Sequence, residues 1–172
     1  MVGGKMYIKS TTLLITELTM DMIKDIQKNS LDEDNRKFVP DEVFETLDEA
    51  AERVKWLIKS YQNPNGPFVN PIIIRDNINI GYIQACRIEE GFEIGYHIAK
   101  EYTGKGYATE AVNVFLPVIM ENLQIDKIYG IVLEDNLASY KVLEKCGFEL
   151  IYKGTSKYQG ENCELRKYIF EH

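Results

Sequence analysis

Two glycines flank a lysine directly ahead of a helix-forming run, in EYTGKGYATEA at 101–111. Gly104 and Gly106 have no side chains, so consecutive N–H groups can point inward at an anion. A helix that begins near Tyr107 adds the positive end of its dipole, and Lys105 adds a charge at the rim. The stretch has the chemistry of a phosphate cradle. The plain alternative is a glycine-rich turn into a helix that binds nothing.

Three phosphate-binding patterns can be compared with this stretch. A Walker A loop is excluded, because no serine or threonine follows the lysine to hold Mg²⁺. A Rossmann fingerprint fits poorly, since Thr109 replaces the third glycine and the next strand-end acid, Glu134, lies about 30 rather than about 20 residues downstream. The third pattern is Arg or Gln, two residues, Gly, one residue, then Gly or Ala. It matches at Gly106 and Ala108 and misses at Thr103.

Length, composition and charge narrow the classes of protein. The 172 residues favour a single domain over 1–172. The net charge of −7 argues against DNA or RNA as the main partner, and it suits solubility as well as a cationic substrate such as an amine. No apolar run approaches the ~18 residues of a membrane span. Three cysteines without a CxxC pair and two histidines indicate free thiols in a reducing, cytoplasmic setting and no metal site.

Apolar spacing predicts the elements of the first half of the chain. A short strand is expected at 13–18, followed by a short helix at 20–28. The polar stretch 29–40 is expected to be a loop. A second helix at 47–61 has one apolar face, and Trp56 beside that face is expected to fill the core.

The second half of the chain alternates more regularly. Two final strands are expected to flank a turn at 154–160, and Pro117 should kink or end its helix early. Only 92–148 has the strand–helix alternation that gives parallel neighbours. The expected elements are strands at 68–75, 80–88 and 92–98, a helix at 108–122, a strand at 127–133, a helix at 136–146, and strands at 148–153 and 163–170.

A second motif, NLASYKVLEKCGF at 136–148, gives the glycine stretch a context. YTGKGYATEA together with NxASxxVLEKCGF resembles the GNAT superfamily of acetyl-CoA-dependent N-acetyltransferases. EIGYHIAKEY at 93–102 is similar to the Rim-type branch, which resembles the ribosomal-protein alanine acetyltransferases. The order of elements agrees over nearly the whole chain.

The resemblance implies an α/β (α+β) fold and a site for acetyl-CoA. The sheet would be mixed and mostly antiparallel, with about six to seven strands and about four helices. Its fourth and fifth strands, 92–98 and 127–133, would be parallel and splayed, helped by a bulge. The pantetheine arm would pair with the backbone of His97 and Ile98 and bond Asn136, whose plain alternative is a helix N-cap. The pyrophosphate loop would comprise Thr103, Gly104, Lys105, Gly106, Tyr107, Ala108 and Thr109.

Attack of an amine on a thioester needs a base, donors for the oxyanion and a proton for the leaving thiolate. Many members of the superfamily place a tyrosine donor where this chain has Leu143, and some place an acid where it has Ile131. In the resembling branch Ser139 would protonate the sulfur, unless it only bonds its own helix backbone. Tyr140 follows Ser139 and lies ~100° away from it around the helix, which makes it a weaker candidate for the proton donor.

The base is predicted to be Glu93 at the start of the fourth strand, acting directly or through water. His97 shares the strand parity of Glu93 and is the second candidate. Each also has a plain reading, as an exposed strand carboxylate and a packing histidine respectively.

The predicted activity is transfer of acetyl from acetyl-CoA to a primary amine by direct attack in a ternary complex. The acceptor would be a protein N-terminal amine or a small-molecule amine, in a pocket built by 29–44, the second helix and the 154–160 turn. One alternative is a non-catalytic acyl-CoA-binding or regulatory module, and a nucleotide-binding Rossmann domain is a more distant one. A homodimer is a candidate assembly.

Overall fold

The structure is a computed structural model that describes residues 5–172. Its eight strands and five α-helices exceed the expected six to seven strands and four helices. The strands are β1 Tyr7–Lys9, β2 Leu14–Thr16, β3 Phe68–Ile74, β4 Ile78–Ile88, β5 Gly91–Ile98, β6 Lys127–Leu133, β7 Glu149–Tyr158 and β8 Glu161–Glu171. The α-helices are α1 Ile23–Ser30, α2 Glu33–Phe38, α3 Leu47–Ser60, α4 Tyr107–Leu123 and α5 Leu137–Lys145.

The strands form one sheet in the order β1-β2-β3-β4-β5-β6-β8-β7. Every neighbouring pair is antiparallel except β5 and β6, which run parallel as predicted for the fourth and fifth strands. The mixed, mostly antiparallel fold class is therefore confirmed. No helix in the described part of the chain is long and apolar enough to cross a membrane.

The two longest helices, α3 and α4, each pack an apolar face against the sheet. A capping box between Thr46 and Glu49 opens α3, and α3 packs Val54 and Leu57 against Val69 of β3. The other long helix, α4, buries one face in the main core, with Ala111, Val112, Phe115, Leu116, Ile119 and Met120.

The expected loop at 29–40 is wrong, because α2 lies within it. This helix is too short and polar to show an apolar period, and its stability comes from tertiary contacts. Asn35 is fully buried and donates hydrogen bonds to the carbonyl oxygens of Ser30 and Glu42. The strand β1 was also not predicted.

Two local expectations near the helices and strands are wrong, and a third is wrong in part. Pro117 is expected to kink α4 or end it early, and it does not end α4 early, since both Pro117 and its i−4 residue Asn113 face solvent and the freed carbonyl can bond water. The kink stays a prediction. The expected turn at 154–160 shrinks to Gln159 and Gly160, because β7 continues to Tyr158. Trp56 is 49% exposed, with the Arg53 guanidinium 4.6 Å from its ring centroid.

The bulge expected to open the parallel pair is also absent from the register of β4 with β5, which runs unbroken from Gly81↔Ile98 to Ile88↔Gly91. The register shift in this region lies between β3 and β4 instead. The parallel strands therefore diverge without an irregularity in β5.

Candidate active site

A cleft opens in the sheet where β5 and β6 diverge. The two strands pair only through Glu93↔Tyr129 and Ile94↔Gly130. Beyond Ile94 the edge of β5 that faces β6 has no ladder partner among the described residues, so its backbone groups are free to bind a ligand. The cleft has a volume of about 470 Å³.

Nearly all the predicted site residues meet at this cleft. Lys105 is the exception, since its ammonium donates to the carbonyl of Glu101 at 3.3 Å and lies 5.4 Å from the ring centroid of Tyr102. The predicted residues that do line the cleft are Glu93, His97, Ile98, Thr103, Gly104, Gly106, Tyr107, Ala108, Thr109, Asn136 and Ser139.

The glycine stretch forms a bare turn into α4. Gly104 and Gly106 have φ of +74° and +83°, a left-handed conformation that glycine adopts without strain. A Cβ added at either position would meet no atom within 4 Å, so the space in front of both is open. Gly106 is the N-cap of α4 and supplies no side-chain cap. The first N–H groups of α4 are therefore available to an anion at its positive end.

The start of α5 is fixed on two sides of Ser139. The Asn136 Oδ1 atom accepts the Ser139 N–H at 3.3 Å, so Asn136 is the N-cap of α5. The Tyr96 hydroxyl of β5 donates to the Ser139 carbonyl at 2.7 Å. The Asn136 amide nitrogen is left free of the cap, so capping and ligand binding use different atoms. Among the described residues the Ser139 hydroxyl makes no bond to its own helix.

Glu93 is a carboxylate in a mostly buried setting. Its Oε2 atom is buried and has no hydrogen-bond partner among the described residues. Burial raises the pKa of Glu93 to about 7, and the charge of Lys167 opposes the shift only in part. Lys167 is held by Glu90 at 2.7 Å. A carboxyl with a pKa near 7 can take up and release a proton at neutral pH.

His97 lies on the same face of β5 as Glu93 but in a different environment. Burial lowers its pKa, and the nearby Asp32 carboxylate opposes the shift. The His97 Nε2 atom lies 3.5 Å from Asp32 Oδ2, which also accepts the Lys100 N–H at 2.7 Å. The imidazole is therefore largely neutral at pH 7, and Asp32 connects it to the segment that leads into the glycine turn.

Comparison with known proteins gives this cleft a family. A family model described as an acetyltransferase (GNAT) domain matches residues 13–149. The chain belongs to the GNAT acetyltransferase family. Family membership supports acetyl transfer in general.

Relatives and solved structures agree with this family. An uncharacterized N-acetyltransferase, YnaD of Bacillus subtilis, is 28% identical over 145 residues that cover 83% of this chain and 82% of YnaD. A GNAT-family acetyltransferase from Bacillus anthracis is 24% identical with a TM-score of 0.81, and covers 96% of this chain and 98% of its own. RimL, a ribosomal L7/L12 alpha-N-protein acetyltransferase in complex with coenzyme A, is 19% identical with the same TM-score and the same coverage. These two structures support the fold.

Two positions depart from residues that other GNAT proteins use, and the structure explains one of them. Leu143 is only 1% exposed and packs against Gly130 of β6, where an added Cβ would lie 2.6 Å from Leu143 Cδ1. A tyrosine at 143 would have to displace this contact. Ile131 lines the cleft as an apolar wall.

Several cleft residues of this GNAT domain were not predicted from the sequence. Lys141 and Lys145 of α5 line the cleft, as do Tyr96 and Gln84 of the strands and Tyr158 at the end of β7. The two lysines could have been found by projecting α5 as a helix, because positions 138, 141, 142 and 145 share one face. The others depend on strand pairing over long distances in the chain.

Proposed function

We propose that this protein transfers an acetyl group from acetyl-CoA to a primary amine by direct attack in a ternary complex. The observation that carries the proposal is the divergence of β5 from β6 after only two residue pairs, which leaves unpaired backbone along a cleft. Glu93 and Ser139 lie in that same cleft. Acetyl-CoA would supply the acetyl thioester.

The residues present fit the diphosphate and the pantetheine arm of acetyl-CoA. The open space at Gly104 and Gly106 would accept phosphate oxygens, and the N–H groups of Tyr107, Ala108 and Thr109 begin α4 there. Lys141 and Lys145 place two cations along the cleft. The backbone of Ile98 on the open edge of β5 and the free amide nitrogen of Asn136 offer donors and acceptors for the amides of the arm. The His97 carbonyl points instead at Gly81 of β4, so the predicted backbone contact of His97 with the arm is wrong.

Glu93 is proposed as the general base. An alkyl ammonium has a pKa of ~10.4, so its proton must be removed before attack. Glu93 is the cleft carboxyl with a pKa raised to about 7 and a buried oxygen without a partner, which suits it to take that proton directly or through water. His97 is the second candidate, since its Nε2 atom is also buried without a hydrogen bond among the described residues.

Ser139 is proposed to protonate the leaving thiolate, and backbone N–H groups of β5 to stabilise the oxyanion. The Ser139 backbone is held by Asn136 and Tyr96, while its hydroxyl does not bond the helix. The acceptor is proposed to be a protein N-terminal amine or a small-molecule amine, as in the Rim-type branch. The single domain over 1–172, the cytoplasmic location and the homodimer stay predictions.

Release of free CoA thiol tests the function. Purified protein with acetyl-CoA is assayed against a panel of peptide N-termini, polyamines, aminoglycosides and amino acids. We expect thiol release that depends on both acetyl-CoA and an amine. Tight CoA binding without release on any member of the panel would contradict the proposal and favour the non-catalytic module.

A further inference from the structure

A second, smaller cavity lies next to the cleft. Its volume is about 50 Å³. Tyr82, Gln84 and His97 line both spaces, so the cavity lies beside the part of the cleft where His97 lies. Its other walls come from α1, α2, α3, β3 and β4, on the side of the sheet where the acceptor pocket was expected.

About half of the residues around this cavity are aliphatic or aromatic, and these supply most of the surface that faces it. They come from α1, α3, β3 and the segments before α1 and α3, and this composition favours an apolar occupant. The apolar side chains around the cavity include Leu18, Ile26, Phe44, Val54, Leu57 and Val69.

Two residues of the cavity wall each have a buried polar atom without a hydrogen-bond partner among the described residues, Asn35 Oδ1 and His97 Nε2. Asn35 lines the cavity and is 0% exposed. Its Nδ2 atom donates to the carbonyls of Ser30 at 3.0 Å and Glu42 at 2.9 Å, which uses both of its hydrogens. The buried Oδ1 atom has no hydrogen-bond partner among the described residues. Since Asn35 is 0% exposed, this acceptor lies behind the cavity surface and a molecule in the cavity does not reach it.

The charged residues of the cavity satisfy each other. Arg53 donates to both carboxylate oxygens of Glu42, through Nε at 3.2 Å and through Nη2. A second cation in this cavity would find no free carboxylate among its described lining residues, and burial of an unpaired charge is expensive.

We infer that this cavity binds the side chain of the acceptor amine. The inference rests on the proposed function and names its substrate class, a primary amine with an uncharged aliphatic group. One water needs roughly 10–15 Å³ of such volume, so the cavity fits about four non-hydrogen atoms beyond the carbon that bears the amine.

Three isosteric amines test the far end of the acceptor. n-Pentylamine, 4-amino-1-butanol and putrescine have the same length and end in a methyl, a hydroxyl and an ammonium group. We expect kcat/KM for putrescine to be at least about tenfold below that of the other two, because its second charge would be buried. The hydroxyl should not exceed the methyl, because an uncharged polar end also loses its water on entering a mainly apolar cavity. Putrescine turned over as well as the other two would overturn the inference.

A pair of helix α1 variants tests the location. Ile26→Phe adds volume at the cavity wall, whereas Ile23→Phe adds the same volume to the same helix at a residue outside the wall. We expect Ile26→Phe to lower the ratio of n-pentylamine to ethylamine turnover at least about tenfold, with Ile23→Phe within about twofold of the wild type. Equal ratios in both variants would overturn the assignment. CoA affinity and the thermal midpoint report whether each variant folds.

Direct binding separates this inference from the proposed function. Calorimetric titration of n-pentylamine into the CoA-bound protein needs no turnover. Binding by the wild type that is lost in Ile26→Phe supports the cavity even if no amine is acetylated, an outcome that would remove only the proposed function. No binding to the wild type would mean that the cavity holds only water, and it would overturn the inference whatever the turnover.

Discussion

Glu93 is the residue on which the proposed chemistry depends most. A strand carboxylate would ordinarily be exposed and ionised, with a pKa near 4.3. Here the β4–β5 pairing places it on the cleft face with a buried, unpartnered oxygen and a pKa of about 7. A stability-driven core would not retain such a group, which points to a use for the carboxylate in the cleft.

Glu93→Gln should lower kcat by roughly 10²–10⁴-fold if Glu93 is the base. In the wild type the carboxylate form, which accepts the proton, grows as pH rises through about 7, so kcat/KM should rise with pH there. The variant should lose the rise of kcat/KM near pH 7. It should keep any pH dependence of kcat/KM that comes from deprotonation of the amine substrate. Steady-state assays of CoA release from pH 5 to 9 check this, with the exposed Glu89→Gln as control. A rise near pH 7 that persists in Glu93→Gln would assign the base elsewhere.

The same substitution should change the pH dependence of stability. The folded pKa of Glu93 is about 7 and the unfolded pKa about 4.3, so the folded state keeps a proton that the unfolded chain loses. The stabilising contribution is complete below pH ~4.3 and is lost as pH rises to about 7. The difference between the Tm of Glu93→Gln and the Tm of the wild type should therefore be more positive at pH 8 than at pH 5. If calorimetry gives the same Tm difference between variant and wild type at pH 5 and at pH 8, the burial of the Glu93 carboxyl is contradicted.

At the scale of the elements, the site is built from the ends of β5, α4 and α5. Regular elements could be predicted closely, since Lys127–Leu133 matches β6 and 47–61 matches α3 to one residue. Helix α2 could not, because buried Asn35 rather than an apolar period holds it in place. The glycine turn could be predicted because its expected anion site consists of backbone N–H groups, which glycine leaves uncovered by any side chain.

Asn136 combines a cap and a proposed ligand contact, and two substitutions separate them. Asn136→Ala should cost about 1 kcal/mol of stability and also weaken CoA binding. Asn136→Ser keeps a capping oxygen but loses the amide nitrogen, so stability should recover while CoA affinity stays roughly tenfold low. Denaturant unfolding and calorimetric titration measure the two quantities. Recovery of both in the serine variant would leave Asn136 as a cap alone.

Gly106→Val should abolish most of the CoA affinity, because its side chain would occupy the open space in front of the turn. The φ of +83° also strains any non-glycine residue by about 1–3 kcal/mol. Gly160→Val is a matched control, with φ of +85° and equally open surroundings in the β7–β8 turn. Titration with CoA should show a loss of at least about tenfold for Gly106→Val only. Equal affinities in both variants would overturn the pyrophosphate assignment.

At the scale of the whole molecule, the sheet is two half-sheets joined at β5 and β6 by two residue pairs and by a shared core. This junction could be predicted, because only 92–148 has the strand–helix alternation that gives parallel neighbouring strands. The side chains that face each other across the junction could not be predicted. Lys141, Tyr158 and the Asn35 cavity become neighbours of the site only through strand order and long-range packing.

Ligand binding at this junction should be visible in hydrogen exchange. Without CoA, the β5 amides that face β6 beyond Ile94 and the first amides of α4 have no ladder or cap to protect them. CoA should slow exchange at residues 96, 98 and 107–109 and leave the β7–β8 hairpin unchanged. Protection confined to α3, with none at these amides, would place the ligand elsewhere.

We propose that the protein transfers acetyl in the cleft between β5 and β6, with Glu93 as the base and Ser139 as the proton donor. The most direct measurement compares amine-dependent release of CoA thiol by the wild type and by a Glu93→Gln/Ser139→Ala double variant at saturating acetyl-CoA. We predict that the double variant binds CoA within about threefold of the wild type while its kcat falls at least about 100-fold. Equal rates of amine acetylation by the two proteins would contradict the account.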